Sequence, residues 1–184
     1  VATEFDSNLN LLGLENGVID LKEWVFREGR PEDYITMSTK VKLHIPNNEL
    51  PIELNKLQDK FKQMDNYTLL KNDFMDFITK IIPDEECRQY TLRFISKCLS
   101  GENRDEGFYI WTGSGGNGKS KLVDLIMKCL GDYACNLPVS LLTQKRKASG
   151  AANPEMARTR GKRFVVMQEP DVNETLNVGE MKEI

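Results

Sequence analysis

Eight consecutive residues carry the strongest chemistry in the chain: Gly113-Ser114-Gly115-Gly116-Asn117-Gly118-Lys119-Ser120. Glycine reaches φ > 0 without a steric penalty, so a loop this rich in glycine can turn its backbone N–H groups inward around an anion. The stretch reads Gly-x4-Gly-Lys-Ser, the spacing of a loop that wraps a nucleoside triphosphate. In that chemistry Lys119 reaches the β- and γ-phosphates and the Ser120 hydroxyl holds Mg²⁺. A helix starting near Gly118 adds the positive end of its dipole. Gly113, Gly115 and Gly118 also spell Gly-x-Gly-x-x-Gly, a dinucleotide fingerprint. That reading needs a second strand ending in an acidic residue about 20 positions on. Gly131 to Pro138 look too short and broken to supply it, and Lys119-Ser120 has no purpose there. The triphosphate reading is preferred.

A second candidate lies downstream. Phe164-Val165-Val166-Met167 is a buried-strand pattern that ends at Gln168-Glu169-Pro170, with Glu169 placed 50 positions after Lys119. A carboxylate at such a strand end lies beside the γ-phosphate, where it orients water or completes the Mg²⁺ shell. The plainer alternative is a strand that ends in a solvated glutamate. The catalytic candidates are therefore Lys119 and Glu169, and the metal candidates Ser120 and Glu169. From Lys145 to Arg163 there are seven basic residues against one acid, Glu155, although the whole chain carries a net charge of −3. A local patch matters more to a polyanion than the whole-chain value. Lys145, Arg146 and Lys147 are the candidate nucleic-acid contacts, against the bland alternative of a solvated loop.

These residues need elements to hold them. Phe108-Tyr109-Ile110-Trp111 predicts a buried strand leading into the loop. Leu122, Leu125, Ile126, Cys129 and Leu130 predict an amphipathic helix leaving it. Upstream, Leu11–Leu14 and Val18–Leu21 flank Glu15-Asn16-Gly17, a hairpin signal. Trp24–Arg27 continues the meander, Arg30–Tyr34 makes a turn or helical hook, and Met37–Leu43 offers one further strand. So small a sheet must pack against the segment downstream of it. Helical spacing then takes over. Leu54, Leu57, Phe61 and Met64 form one stripe, and Phe74, Phe77, Ile78, Ile81 and Ile82 a second that stops at Pro83. Asp84 caps a third helix bearing Tyr90, Phe94, Ile95, Cys98 and Leu99. Beyond the loop helix, short helices are expected around Val139–Leu142 and from Asn153-Pro154-Glu155.

With 40% hydrophobic and 29% charged residues, the composition is that of a globular protein. No apolar run approaches the ~20 residues needed to span a bilayer, and the N-terminus is no signal peptide. Cys87, Cys98, Cys129 and Cys135 form no C-x-x-C pair, and His44 is the single histidine, which argues against zinc and for a reducing, intracellular setting.

Several stretches together resemble one family. The glycine loop, Leu130-Gly131-Asp132-Tyr133, Ala157-Arg158 through Gly161-Lys162-Arg163, and Val165-Val166-Met167-Gln168-Glu169-Pro170 are similar to superfamily 3 helicases. The likeness is above all to the C-terminal half of the primase–helicases of large DNA viruses and related phages. Asn16-Gly17-Val18-Ile19-Asp20-Leu21 and Arg30-Pro31-Glu32-Asp33-Tyr34-Ile35-Thr36 look like the small domain that precedes the helicase there. The resemblance implies an α/β fold: a P-loop NTPase core of the AAA+ type, truncated, preceded by a small β-meander and a helical domain. The domains would be residues 1–45, 46–104 and 105–184. It also implies an ATP-driven hexameric ring that moves along single-stranded DNA. ATP and Mg²⁺ would be held by Gly113, Gly118, Lys119 and Ser120, and water oriented by Glu169. If the source is viral, the setting is the host cell's replication site.

Two features depart from that pattern. Many P-loop enzymes place aspartate before the catalytic glutamate, but Gln168 stands here, with Asp171 a weaker substitute. The family's sensor asparagine and arginine finger are not found before Ile184, so the chain reads as a fragment expected to hydrolyse ATP negligibly by itself. Two other classes compete: a P-loop phosphotransferase such as a nucleoside kinase, and a nucleotide-regulated assembly module. The kinase reading leaves the first hundred residues and the basic segment without a purpose.

Overall fold

The computed structural model describes residues 5–45, 49–102, 107–143, 154–168 and 175–181. It is a mixed α/β structure that starts with the expected hairpin. Strand β1 (Leu11–Leu14) runs antiparallel to β2 (Gly17–Asp20), with Leu14 opposite Gly17 and Glu15-Asn16 as the loop. Glycine is required at position 17 because a β-carbon there would stand 2.5 Å from the tip of the Phe26 ring. Strand β3 (Val25–Arg27) continues the meander, and Pro31–Asp33 form a single 3₁₀ turn, the expected hook. The half-buried Arg27 guanidinium grips both Asp33 oxygens at 2.8 Å and Asp20 at 3.3 Å, which ties that hook to the sheet.

The fourth strand is not Met37–Leu43. Those residues run beside β1, with Thr39 N donating to Gly13 O at 2.9 Å and Glu15 N to Val41 O at 3.0 Å. Lys40 between them sits at φ 60°, in the left-handed region, and this breaks the ladder. The sheet is completed instead by β4 (Ile52–Glu53), which pairs with β3 and leads directly into helix α1 (Leu54–Lys62). Phe26, Ile52 and Leu57 form one buried cluster, so sheet and first helix share a core across the position where the sequence suggests its first boundary. The sheet does pack against the downstream segment, as its size demands.

Helix α2 (Tyr67–Ile81) ends before Pro83, and α3 (Glu85–Lys97) starts with Asp84 accepting a hydrogen bond from Cys87 N at 2.7 Å. The α3 stripe follows the predicted one in part: Phe94 and Ile95 pack on the main core and Cys98 is buried, but Tyr90 is 59% exposed and Leu99 45%, and Arg88 and Thr91 are buried as well. Helix α4 (Lys119–Leu130) follows the glycine loop, then a 3₁₀ turn at Gly131–Tyr133, then strand β5 (Ala134–Leu137). Short helices α5 (Ser140–Thr143) and α6 (Pro154–Ala157) precede β6 (Phe164–Met167), and α7 (Val178–Met181) comes last. Strands β5 and β6 are parallel, with Ala134 opposite Phe164 and Leu137 opposite Met167. The segment that looks too short for a strand is therefore one. Cys135 and Leu137 bury the same side of it, and four residues suffice when a partner is present.

Phe108–Trp111 is the reverse case, a strand signal without a strand. Among the described residues the segment pairs with no sheet, and Phe108 and Ile110 are 46% and 65% exposed. Aromatic packing holds it instead: the Phe94 ring lies 4.2 Å from that of Tyr109 and 6.2 Å from that of Trp111. The main core gathers Leu12 from β1, Cys98, Leu122, Ile126 and Leu130 from α4, Tyr133, and Phe164 from β6. Burial holds the Cys98 thiol up to about 11, so this side chain acts as a small hydrophobe.

Candidate phosphate-binding site

Helix α4 positions the glycine loop because its apolar stripe is deeply seated. Leu122, Ile126 and Leu130 recur every four residues and are 1%, 4% and 3% exposed. The sequence also assigns Leu125 and Cys129 to this face, but both are exposed. Four-residue steps turn slightly more than one helical turn, so the buried stripe drifts and leaves those two on its outer side. Gly118 caps the helix with φ 83° and ψ 0°, and its carbonyl accepts from Leu122 N at 3.1 Å. Gly116 also lies in the left-handed region, at φ 77°. Gly113, at φ 158°, is a third place in the loop where glycine's freedom is used, and a β-carbon there would stand 2.4 Å from the Asn117 side chain.

Lys119 curls back over the loop. Its ammonium donates to Gly113 O at 3.1 Å and to Asn117 Oδ1 at 3.0 Å. Gly113, Ser114, Gly115, Gly116 and Ser120 are exposed, and a β-carbon at Gly115 or Gly116 would meet nothing within 4 Å. The structure therefore brings Gly113, Asn117 and Lys119 together around an open backbone loop at the N-terminus of a twelve-residue helix. Such an arrangement can receive an anion: the Lys119 ammonium exchanges neutral acceptors for charged oxygens, and the first-turn N–H groups of α4 have no helical partners.

The remaining sequence candidates are placed differently. Gln168 follows β6 directly and is exposed. Glu169, its possible substitute Asp171, and Lys145, Arg146 and Lys147 lie outside the described residues. Among the described residues, no three His, Cys, Asp or Glu side chains gather where they could hold a metal ion. No helix among them is long and apolar enough to cross a membrane.

Sequence reasoning missed what the second half of the basic segment does. The Arg163 guanidinium stacks over the Tyr133 ring, 4.4 Å from its centroid, and donates to the carbonyls of Leu11 and Leu99. Burial lowers the pKa of Arg163 below its ordinary value. The Tyr133 hydroxyl accepts from Gly13 N at 2.8 Å and donates to Met37 O at 3.2 Å. Lys162 donates to Asp132 O, while the Asp132 carboxylate takes Ser38 N at 3.0 Å and Lys40 Nζ at 2.7 Å. Arg158 pairs with Glu155 at 3.0 Å. Arg163 thus joins β6 to β1 and to the residues after α3, Lys162 joins it to the Gly131–Tyr133 turn, and both cations are engaged within the chain. A count of charges could not reveal this, because the partners are mostly carbonyls and a ring some thirty or more residues away.

A glycine loop at the head of a helix with one buried stripe, alongside a small antiparallel sheet, is the arrangement the structure defines. Residues 1–83 match the family described as D5 N terminal like, a match that ends where α2 stops at Pro83. The chain is 40% identical to "Putative helicase L207/L206" of Acanthamoeba polyphaga mimivirus over 177 residues, 96% of its length. It is 30% identical to "Putative helicase 022R" of Frog virus 3 over 96% of its length, and 28% identical to "Putative primase C962R" of African swine fever virus over 97%. It spans 17%, 23% and 17% of these three relatives. The chain is thus a homologue, along nearly its whole length, of large-DNA-virus proteins that bear the names helicase and primase, and it opens with a D5 N-terminal-like region.

Proposed function

We propose that the chain is the nucleotide-binding part of an ATP-driven DNA helicase, a primase–helicase of the viral replicative type. The observation that carries this reading is the loop itself: Gly113–Ser120 leads into α4 through a left-handed Gly118, with the Lys119 ammonium poised over it. ATP with Mg²⁺ is the ligand proposed, with Lys119 on the terminal phosphates, Ser120 on the metal, and Glu169 orienting the attacking water. The AAA+-type core, the hexameric ring and single-stranded DNA as partner belong to the same proposal, and the names of the viral relatives support it. A phosphoryl-binding loop alone also suits a kinase, but kinship over 96% of the chain with a protein named helicase favours the present reading. Calorimetric titration of ATP into the chain tests it. Binding that requires Mg²⁺ and disappears in Lys119→Ala is expected; equal affinity in the two proteins defeats the assignment.

A further inference from the structure

The phosphate loop is backed by a residue far from its own motif. Gly118 lies where a β-carbon would stand 2.8 Å from Ile81 Cγ1 and 3.1 Å from Ile81 Cδ1. Ile81 is the last residue of α2, so the corner between α2 and α3 closes directly over the cap of α4. The direction of the first N–H groups of α4 depends on the dihedrals of Gly118, and Ile81 blocks that glycine from moving toward α2. Pro83 ends α2 and leaves corner carbonyls without helical donors. Arg88 supplies them: its Nη1 donates to Ile82 O and to Pro83 O, both at 2.8 Å, and its Nη2 pairs with Glu85. Arg88 is 7% exposed, and its Nε is buried with no hydrogen-bond partner among the described residues. A guanidinium kept there with one donor unsatisfied is kept for what its other two nitrogens hold.

We propose that the α2–α3 corner is a positioning element of the phosphate loop, in which Ile81 sets Gly118 and Arg88 clamps the corner that carries Ile81. The inference rests on the reading of Gly113–Ser120 as a nucleotide site and extends that site to a helix pair outside the motif. It gives a direct route between nucleotide occupancy and the setting of α2, since displacement of Gly118 by a bound phosphate presses on Ile81 first.

The test titrates a fluorescent ATP analogue, and separately inorganic triphosphate, into the wild-type chain, Ile81→Ala, Arg88→Lys and Leu57→Ala, with folding checked by circular dichroism. Leu57 is buried in the separate Phe26 cluster and controls for loss of packing alone. Ile81→Ala and Arg88→Lys are expected to weaken both ligands about 2- to 30-fold, the range for residues that act through a neighbour; Leu57→Ala is expected to leave affinity unchanged. A second readout is suppression. Gly118→Ala should bind poorly, and adding Ile81→Ala should recover part of the loss by removing the collision. Wild-type binding with unaltered affinity in the Ile81 and Arg88 variants, an equal loss in Leu57→Ala, or no suppression overturns the inference while leaving the site intact. Failure of the wild-type chain to bind either ligand removes the nucleotide site and the inference with it.

Discussion

At Gly17 a β-carbon would stand 2.5 Å from the Phe26 ring, whereas at Gly115 it would meet nothing within 4 Å. The two glycines mark opposite parts of the molecule. Around Gly17 the chain is fixed from all sides by antiparallel ladders, the Phe26 cluster and the Arg27–Asp33–Asp20 ion pairs. Around Gly115 the chain is open, held at its ends by Trp111 against Phe94 and by Gly118 beneath Ile81. Binding loops carried on a rigid frame show this division, since the loop must keep its backbone donors free and the frame supplies the order.

The comparison breaks most readily at Phe26, whose side chain is 0% exposed. Phe26→Ala is expected to lower unfolding free energy by about 3–5 kcal/mol, the range for deleting a buried ring. Urea unfolding followed by circular dichroism measures it. A loss below about 1 kcal/mol would mean that the sheet is not the anchored part.

Tyr133 tests the seam between the two parts with a smaller effect. Tyr133→Phe removes the acceptor of Gly13 N and the donor to Met37 O but keeps the ring beneath Arg163. Leaving those backbone groups unpaired should cost about 1–3 kcal/mol. Retained stability in the same urea experiment would show that water replaces the hydroxyl there.

A subtler effect comes from Asp33, whose carboxyl the Arg27 guanidinium holds below its ordinary value of 3.8, helped by the Arg30 backbone N–H. A depressed folded-state pKa means that protons bind the unfolded chain first. The stability this group contributes is thus present above 3.8 and lost as pH falls through the lower folded value. Asp33→Asn should be less stable than wild type at neutral pH, and the gap should close on acidification. A gap that stays constant with pH would exclude the ion pair as its source.

Much of this organisation can be read in the chain because its signals are local. Asp84 as a cap, Pro83 as a helix stop and Glu15-Asn16-Gly17 as a hairpin all act within a few residues, and each element forms there. Lys119 as the start of a helix behind a glycine loop is of the same kind. Signals fail where a distant partner decides. Phe108–Trp111 has strand composition but no sheet partner among the described residues, and Ala134–Leu137 has poor composition but pairs with β6. Met37–Leu43 lies beside β1 yet is broken by one left-handed residue, Lys40. In the site, the motif identifies its own eight residues and is silent about Ile81, since nothing in Gly-x4-Gly-Lys-Ser specifies what covers the loop's last glycine.

The smallest expected effect lies at Gly115 and sharpens the contrast from the other side. Its surroundings are empty, and it is absent from the glycines with positive φ, unlike Gly116 at φ 77° and Gly118 at φ 83°. An alanine at 115 therefore meets neither a collision nor a forbidden backbone region. Removing a glycine also lowers the entropy of the unfolded chain, which acts in favour of folding. Gly115→Ala should change unfolding free energy by no more than about 0.5 kcal/mol in either direction. Gly17→Ala, which drives a methyl group into Phe26, should cost about 1–3 kcal/mol. Measuring the pair side by side removes errors of extrapolation. Equal costs would mean that the loop is as tightly packed as the sheet, and the Gly115 backbone would then have no room to turn its N–H toward a phosphate.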